Sequence, residues 1–356
     1  MKYLSEKAKR LTPYVAGLQP QGEGWIKLNT NENPYPPAPS VFDVLKAADI
    51  EKLRLYPDGE SGILKSAIGA ALCVGEDYVF CANSSDEVLA LAFQAFFSGK
   101  NNVKTADISY GFYPVWGQIY DVGLDFVSVG SDFSISPDDY KNAEGVVIAN
   151  PNAPTSLALG LSQVEKIVAT NPDAVVVLDE AYIDFARVES AVALVQRYKN
   201  LLVTRTFSKS HSLAGLRVGY AIGDPMLIDG LCRVRDAFNS YPLDKLAQLG
   251  AAAAISNPAY LRETCAKIID TREKTISALQ NLGFEVLPSQ ANFIFMQATD
   301  AGILYEYLLQ NKIIARHWNK PRVDDYLRVS IGTENDMEVF VTCVKQYLNE
   351  RQKKQV

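Results

Sequence analysis

Histidine is almost missing from this chain. Two occur in 356 residues, His211 and His317, far apart and in no H-E-x-x-H spacing, which argues against a histidine-built zinc site. Cysteine is sparse and unpatterned. The five present (Cys73, Cys81, Cys232, Cys265, Cys343) are odd in number and include no C-x-x-C, so they read as buried thiols of a reducing compartment. No long run of Lys and Arg accompanies the net charge of -6, which argues against a nucleic-acid surface or a polybasic membrane anchor. The longest apolar stretches, such as 88–97 with Gln94 inside it, are too short to span a bilayer. The opening segment MKYLSEKAKR has no apolar core of a signal peptide, so a cytoplasmic location is expected. Neither a G-x-G-x-x-G after a strand nor a G-x-x-x-x-G-K-[ST] occurs, which disfavours a nicotinamide-dependent dehydrogenase and a phosphate-loop nucleotide enzyme.

What is there is ordinary for a globular protein: 48% hydrophobic and 21% charged residues. The length exceeds what one core usually holds, so one large and one smaller domain are expected. Residues 1–40 read as an N-terminal arm belonging to the smaller unit, 41–257 as the large domain and 258–356 as the small C-terminal domain. The arm contains LNTNENPYPPAP, whose four prolines and three asparagines favour turns lying over a rigid body, with Trp25, Ile26 and Tyr35 to anchor it. Beyond about residue 60, strand and helix patterns alternate. Strands are expected at 78–81, 146–149, 174–178, 201–206 and 218–222, with helices at 85–97, 161–169 and 191–198. Alternation of this kind predicts an α/β fold with a mostly parallel sheet sandwiched by helices. From 258 the pattern becomes α+β: a long helix over 258–282, strands at 284–287, 292–296 and 327–331, and a final helix.

Ligands of open α/β sheets sit beyond the carboxyl ends of the strands. Three expected strands end in reactive residues: Asn83-Ser84-Ser85-Asp86, Asp179-Glu180-Ala181-Tyr182 and Ser208-Lys209. A lysine desolvated at such an edge loses its proton readily and can attack an aldehyde. Arg217, after a Gly- and Leu-rich turn, can grip a phosphate bidentately. Ser208, Ser84 and Ser85, with the N–H groups opening the next helix, add donors for the same anion. Asp179 closes a buried strand and needs a cationic partner, which a pyridinium nitrogen can supply.

In order along the chain stand NTNENP, YPDG, SSDE, PNAPT, DEAYIDF, TFSKSHSLAGLRVGY and YLRVSIGT. With these motifs the chain resembles the fold-type I pyridoxal-phosphate aminotransferases, and most closely the histidinol-phosphate aminotransferase family, over almost its whole length. The resemblance implies that Lys209 is the Schiff-base lysine and proton shuttle for pyridoxal 5'-phosphate. It implies that Asp179 pairs with the pyridine nitrogen, Tyr182 donates to the phenolate oxygen and Tyr110 stacks on the ring. Ser84, Ser85, Ser208 and Arg217 would hold the cofactor phosphate, joined by Tyr56 from the other subunit of a homodimer. Tyr14, Asn33, Arg316 and Arg328 would bind the substrate, the arginines taking a phosphate in one half-reaction and a carboxylate in the other.

Two positions depart from the family. Where it has asparagine on the phenolate oxygen this chain has Ala153, leaving the contact to Asn152 through a shifted backbone or to Tyr182 alone. Where it has glycine ahead of the phosphate turn this chain has Ser84, which must adopt a backbone unusual for a residue with a Cβ. The expected activity is histidinol phosphate plus 2-oxoglutarate to imidazole acetol phosphate plus glutamate, by a ping-pong route in histidine biosynthesis. The motifs leave open an aromatic amino-acid aminotransferase or a phosphothreonine-type decarboxylase. A non-catalytic ligand sensor on this fold is disfavoured, because Lys209, Asp179, Tyr182 and Arg217 are all present.

Overall fold

The structure, a computed structural model, describes residues 2–15 and 17–355. Its centre is a seven-stranded sheet in the order Val79–Asn83, Val218–Gly223, Leu201–Thr206, Val175–Asp179, Gly145–Ala149, Val103–Ala106, Leu124–Val127. Val218–Gly223 runs antiparallel to both neighbours, and the other pairings are parallel. Segments such as GVVIA and VVVLD are apolar at successive positions because both faces of a parallel sheet are covered. Val146, Ile148, Val176 and Leu178 pack with Leu64, Ile68, Val164, Ile167 and Ala251 from helices Gly62–Leu72, Leu161–Ala169 and Lys245–Ile255. The alternate residues Val147, Ala149, Val177 and Leu202 pack with Val88, Leu89, Trp116, Ile228 and Leu231 from helices Ser84–Ala92, Tyr113–Tyr120 and Pro225–Phe238. Each such side chain contributes about 1.5–3 kcal/mol on burial, so the sheet is a stiff platform for whatever its edge carries.

The C-terminal region stacks helices Pro258–Asn281, Ala301–Gln310 and Glu334–Gln355 with an antiparallel sheet of Arg316–His317, Tyr326–Ser330 and Phe293–Gln297. The arm is tied to this region rather than loose. Ile26–Lys27 pairs in parallel with Ile313–Ile314, and the buried Leu28 packs in the same apolar cluster as Val329. Beyond it, the Ser330 N–H donates to the Leu28 carbonyl at 2.9 Å.

Some elements differ from the sequence expectation. Residues 284–287 form no strand; only Val286 bridges Met296, in a segment between Gly283 at φ +90° and Pro288, which has no N–H to donate. The helix expected over 191–198 is a single tight turn, Ala191–Leu194, in a segment that carries β-branched Val192 and Val195. The helix expected over 85–97 widens into a π turn at Phe93–Phe97, with both end phenylalanines buried. Strands Val103–Ala106 and Leu124–Val127 carry no strand signal in the sequence, because polar residues interrupt their short runs.

Candidate active site

The carboxyl ends of strands Val79–Asn83, Val175–Asp179 and Leu201–Thr206 open into one cleft of about 350 Å³, closed by the arm and by the strands carrying Arg316 and Arg328. Ser84, Ser85, Tyr110, Asp179, Tyr182, Ser208, Lys209, Arg217, Tyr14, Arg316 and Arg328 all line it, so most of the residues singled out in sequence do meet.

At one end is an anion cradle. Ser84 sits at φ +71°, the backbone expected of a serine standing in for glycine, and turns the chain into helix Ser84–Ala92. The neighbouring strand approaches so closely that a Cβ on Gly219 would lie 2.1 Å from the Ser85 nitrogen and 2.3 Å from the Ser84 carbonyl carbon. Arg217, also left-handed at φ +55°, reaches the Asp86 carboxylate at 3.2 Å. That carboxylate further accepts from the Tyr110 hydroxyl at 2.8 Å and from Ser84 Oγ at 3.2 Å. A guanidinium and two hydroxyls thus converge on one anionic position.

In the middle, Asp179 is buried. One carboxylate oxygen accepts from the Ala181 N–H and the other from the Tyr113 hydroxyl, each at 3.2 Å. Burial pushes its pKa up to about 7, and the Asp86 charge pushes the same way. A carboxylate in this position needs a cation to stay ionised at neutral pH. Lys209 donates from Nζ to the Thr30 carbonyl at 2.9 Å. Burial first, then the Arg328 guanidinium, pulls its pKa down to about 8. Ser210 donates to Asp184, which is itself paired with the buried Arg205, so the backbone directly after Lys209 is pinned. Tyr182 lies with its ring 5.8 Å from Lys209 Nζ and edge-on to Phe293.

At the far end, Arg316 and Arg328 are direct cross-strand partners in the antiparallel pair. Like charges facing each other across a ladder are unfavourable alone, so an anion between them relieves the pair. Arg328 donates to the Asn29 carbonyl at 2.7 Å, while its buried Nε has no partner among the described residues. Both guanidinium groups lie over the Trp318 ring, at 5.5 Å for Arg316 and 5.3 Å for Arg328. Tyr14 stacks on Phe112 at 4.3 Å beside Tyr110.

Three expected residues stand elsewhere. Asn152 is engaged away from the cleft: its amide donates to the Ile108 carbonyl and to Thr155 Oγ1, and its oxygen accepts from Ser109. With its amide held by Thr155 in its own loop and by Ile108 in the segment after strand Val103–Ala106, it does not line the cleft, and Ala153 does. Asn33 does not line the cleft either; its amide donates to the Lys209 and Ser210 carbonyls at 3.1 Å each. Tyr56 is outside the cleft of its own chain, 82% exposed and stacked on Tyr241 at 4.7 Å. Conversely, Asn31 and Thr206 line the cleft and Tyr113 holds Asp179, none of which the sequence marks as a site residue. Asn31 was hidden among three asparagines in NTNENP, and only its neighbours in space distinguish it.

This platform and lysine site define a class. The chain matches the aminotransferase class I and II family over residues 23–344 and is a pyridoxal-phosphate-dependent transaminase. It is 47% identical to histidinol-phosphate aminotransferase 2 of Psychrobacter arcticus, over 96% of this chain and 94% of that protein. It is 50% identical to the histidinol-phosphate aminotransferase of Gluconacetobacter diazotrophicus, over 96% and 97%. The fold is that of the Sinorhizobium meliloti histidinol-phosphate aminotransferase crystallised with pyridoxal-5'-phosphate, with a TM-score of 0.87, 21% identity and 98% of each chain covered. The chain belongs to the histidinol-phosphate aminotransferase family.

Proposed function

We propose that this enzyme exchanges an amino group between histidinol phosphate and 2-oxoglutarate by a ping-pong route, in the cytoplasm, as a homodimer with shared sites. The observation that carries the reading is the facing pair Arg316–Arg328 in the same cleft as a lysine drawn toward neutrality. One cationic clamp accepts the phosphate of one substrate and a carboxylate of the other, because guanidinium matches both.

The residues fit the cofactor. Asp179 is a buried carboxylate awaiting a cation, and Arg217 with the Ser84 and Tyr110 hydroxyls, which here meet on the Asp86 carboxylate, supplies the donors an incoming phosphate needs. Pyridoxal phosphate, when bound, supplies an electron sink for charge left at the substrate's reacting carbon. Asp179 would accept a hydrogen bond from the protonated ring nitrogen. Ser84, Ser85, Ser208 and Arg217 would hold the phosphate, with the partner subunit adding Tyr56 by the family pattern. Tyr110 would cover the ring, and Tyr182 would offer its hydroxyl to the phenolate oxygen. Lys209, with a pKa of about 8, has a sizeable neutral fraction at physiological pH and can take the carbon-bound proton and return it. Tyr14, Arg316 and Arg328 orient the substrate anion.

The homodimer reading is supported by an exposed apolar patch of Leu53, Leu55, Tyr56, Phe238 and Tyr241. The division into a body of 41–257 and a second of 258–356 carrying the arm is supported by the pairing of Ile26–Lys27 with Ile313–Ile314. Comparing histidinol with histidinol phosphate tests the substrate. Each charge-assisted pair is worth about 1.5–3 kcal/mol, so kcat/KM for the phosphate-free compound is expected to fall by about tenfold to more than a hundredfold. Equal values, or a preference for phenylalanine, overturn the reading.

A further inference from the structure

We infer that Asn31, on the N-terminal arm, is a positioning residue that aims the Tyr182 hydroxyl proton at the cofactor's phenolate oxygen. In this chain that role matters because, with Ala153 in place of the family's asparagine, only the tyrosine remains of the two side-chain donors the family pattern puts there. The inference rests on the proposed cofactor site.

Asn31 Nδ2 lies 3.0 Å from the Tyr182 oxygen. Its orientation is forced by the buried Ser330. The Ser330 oxygen accepts from the Asn31 N–H at 2.8 Å, and its hydroxyl donates to Asn31 Oδ1 at 3.0 Å. Flipping the amide would leave the Ser330 proton without an acceptor, so Oδ1 faces Ser330 and the N–H face meets Tyr182. Asn292 Nδ2 holds the Asn31 carbonyl at 3.0 Å, and the residue sits at φ +55°, a conformation asparagine tolerates better than most.

An oxygen that accepts from an amide keeps its own proton free. That proton finds no acceptor among the described residues, and Tyr182 and Asn31 both line the cleft. The charged groups bearing on Tyr182 are Arg328, Asp179 and Asp86, with Lys209 over its ring; none hydrogen-bonds its oxygen. Asn31 also favours the donor role by polarising the hydroxyl, since an N–H directed at a phenol oxygen makes the phenol a stronger acid. Ser330 and Asn292 belong to the C-terminal sheet region, so the aim of a cofactor donor depends on how that region seats the arm.

The readout is the pKa of the visible absorbance of the cofactor bound to Lys209, measured by spectrophotometric titration. A donor on the phenolate oxygen weakens its hold on the adjacent nitrogen's proton and lowers that pKa. Asn31→Gly keeps the left-handed backbone and removes the amide, so the pKa is expected to rise by roughly half to one unit. Tyr182→Phe raises it too, and adding Asn31→Gly to Tyr182→Phe should then change nothing further. Should the glycine variant lose the cofactor, Asn31→Asp carries the same test. It is isosteric, keeps the Ser330 bond and draws the tyrosine proton to itself, so it should raise the pKa more in the tyrosine background than in the phenylalanine background. No shift in either variant, or an equal shift with and without the Tyr182 hydroxyl, overturns the inference. Borohydride reduction run alongside separates the two claims: a label away from Lys209 defeats the proposed site itself, whatever Asn31 does.

Discussion

At the scale of single residues, the site is organised by burial acting on charge. Lys209 is lowered to about 8 and Asp179 raised to about 7, both chiefly by desolvation. For Asp179 this has a measurable consequence in the cofactor-free chain. The unfolded chain releases this proton near the usual 3.8, while the folded chain keeps it until about 7. Between those values the unfolded state binds fewer protons, so stability falls as pH rises. Asp179→Asn removes that loss. At pH 8 the cofactor-free variant is expected to exceed the cofactor-free parent in urea stability by up to about 4 kcal/mol, with the gap closing below pH 4. A constant difference across pH would mean that Asp179 has another compensating charge. Borohydride treatment followed by peptide mapping is expected to find the pyridoxyl group on Lys209 and to find none in Lys209→Ala.

At the scale of elements, the anion cradle depends on two strands meeting at a glycine. Gly219 lies opposite Ala82 and Thr206 in the ladders, and its missing side chain is the space the Ser84–Ser85 turn occupies. The obstructing atoms are backbone, so they cannot swing aside as a side chain would. Overpacking of this kind costs roughly 1–3 kcal/mol, and in Gly219→Ala most of that strain falls on the turn that offers N–H groups to the phosphate. Pyridoxal-phosphate affinity, followed by absorbance titration, is expected to weaken by about tenfold or more. A melting temperature lowered with unchanged affinity would place the strain elsewhere in the sheet.

At the scale of the whole molecule, the exposed patch around Tyr56 sets the question of sharing. Tyr56 stacks on Tyr241, and its loop is held to helix Pro225–Phe238 by the Arg235–Glu60 pair, so the tyrosine is presented outward on an ordered surface. In a two-fold dimer each site then takes Lys209 from one chain and Tyr56 from the other. Lys209→Ala and Tyr56→Asp should each abolish activity alone. Mixed and allowed to exchange subunits, they should recover about a quarter of parental activity, because about half the dimers are mixed and half their sites are intact. Activity that stays at the level of the single variants, with exchange demonstrated, would confine Tyr56 to its own chain.

Lys209, Asp179, Tyr182 and Arg217 were legible in the chain because each stands at a strand end or beside a glycine turn, where local pattern alone predicts an edge position. The parallel sheet was legible for the same reason: GVVIA and VVVLD have no polar face. What local pattern could not decide was which of several equivalent groups points inward. NTNENP offers three asparagines; the fold turns Asn31 to Tyr182 and Asn33 to the back of the Lys209 loop. Asn152 and Ala153 are neighbours in sequence, yet hydrogen bonds to Thr155 and to the distant Ile108 carbonyl consume the amide, and the methyl lines the cleft. Arg316 and Arg328 become a clamp only when an antiparallel register sets them opposite one another. Strand ends and burial follow from local composition, whereas side-chain direction and cross-strand register depend on contacts between segments far apart in the chain, which only the tertiary structure supplies.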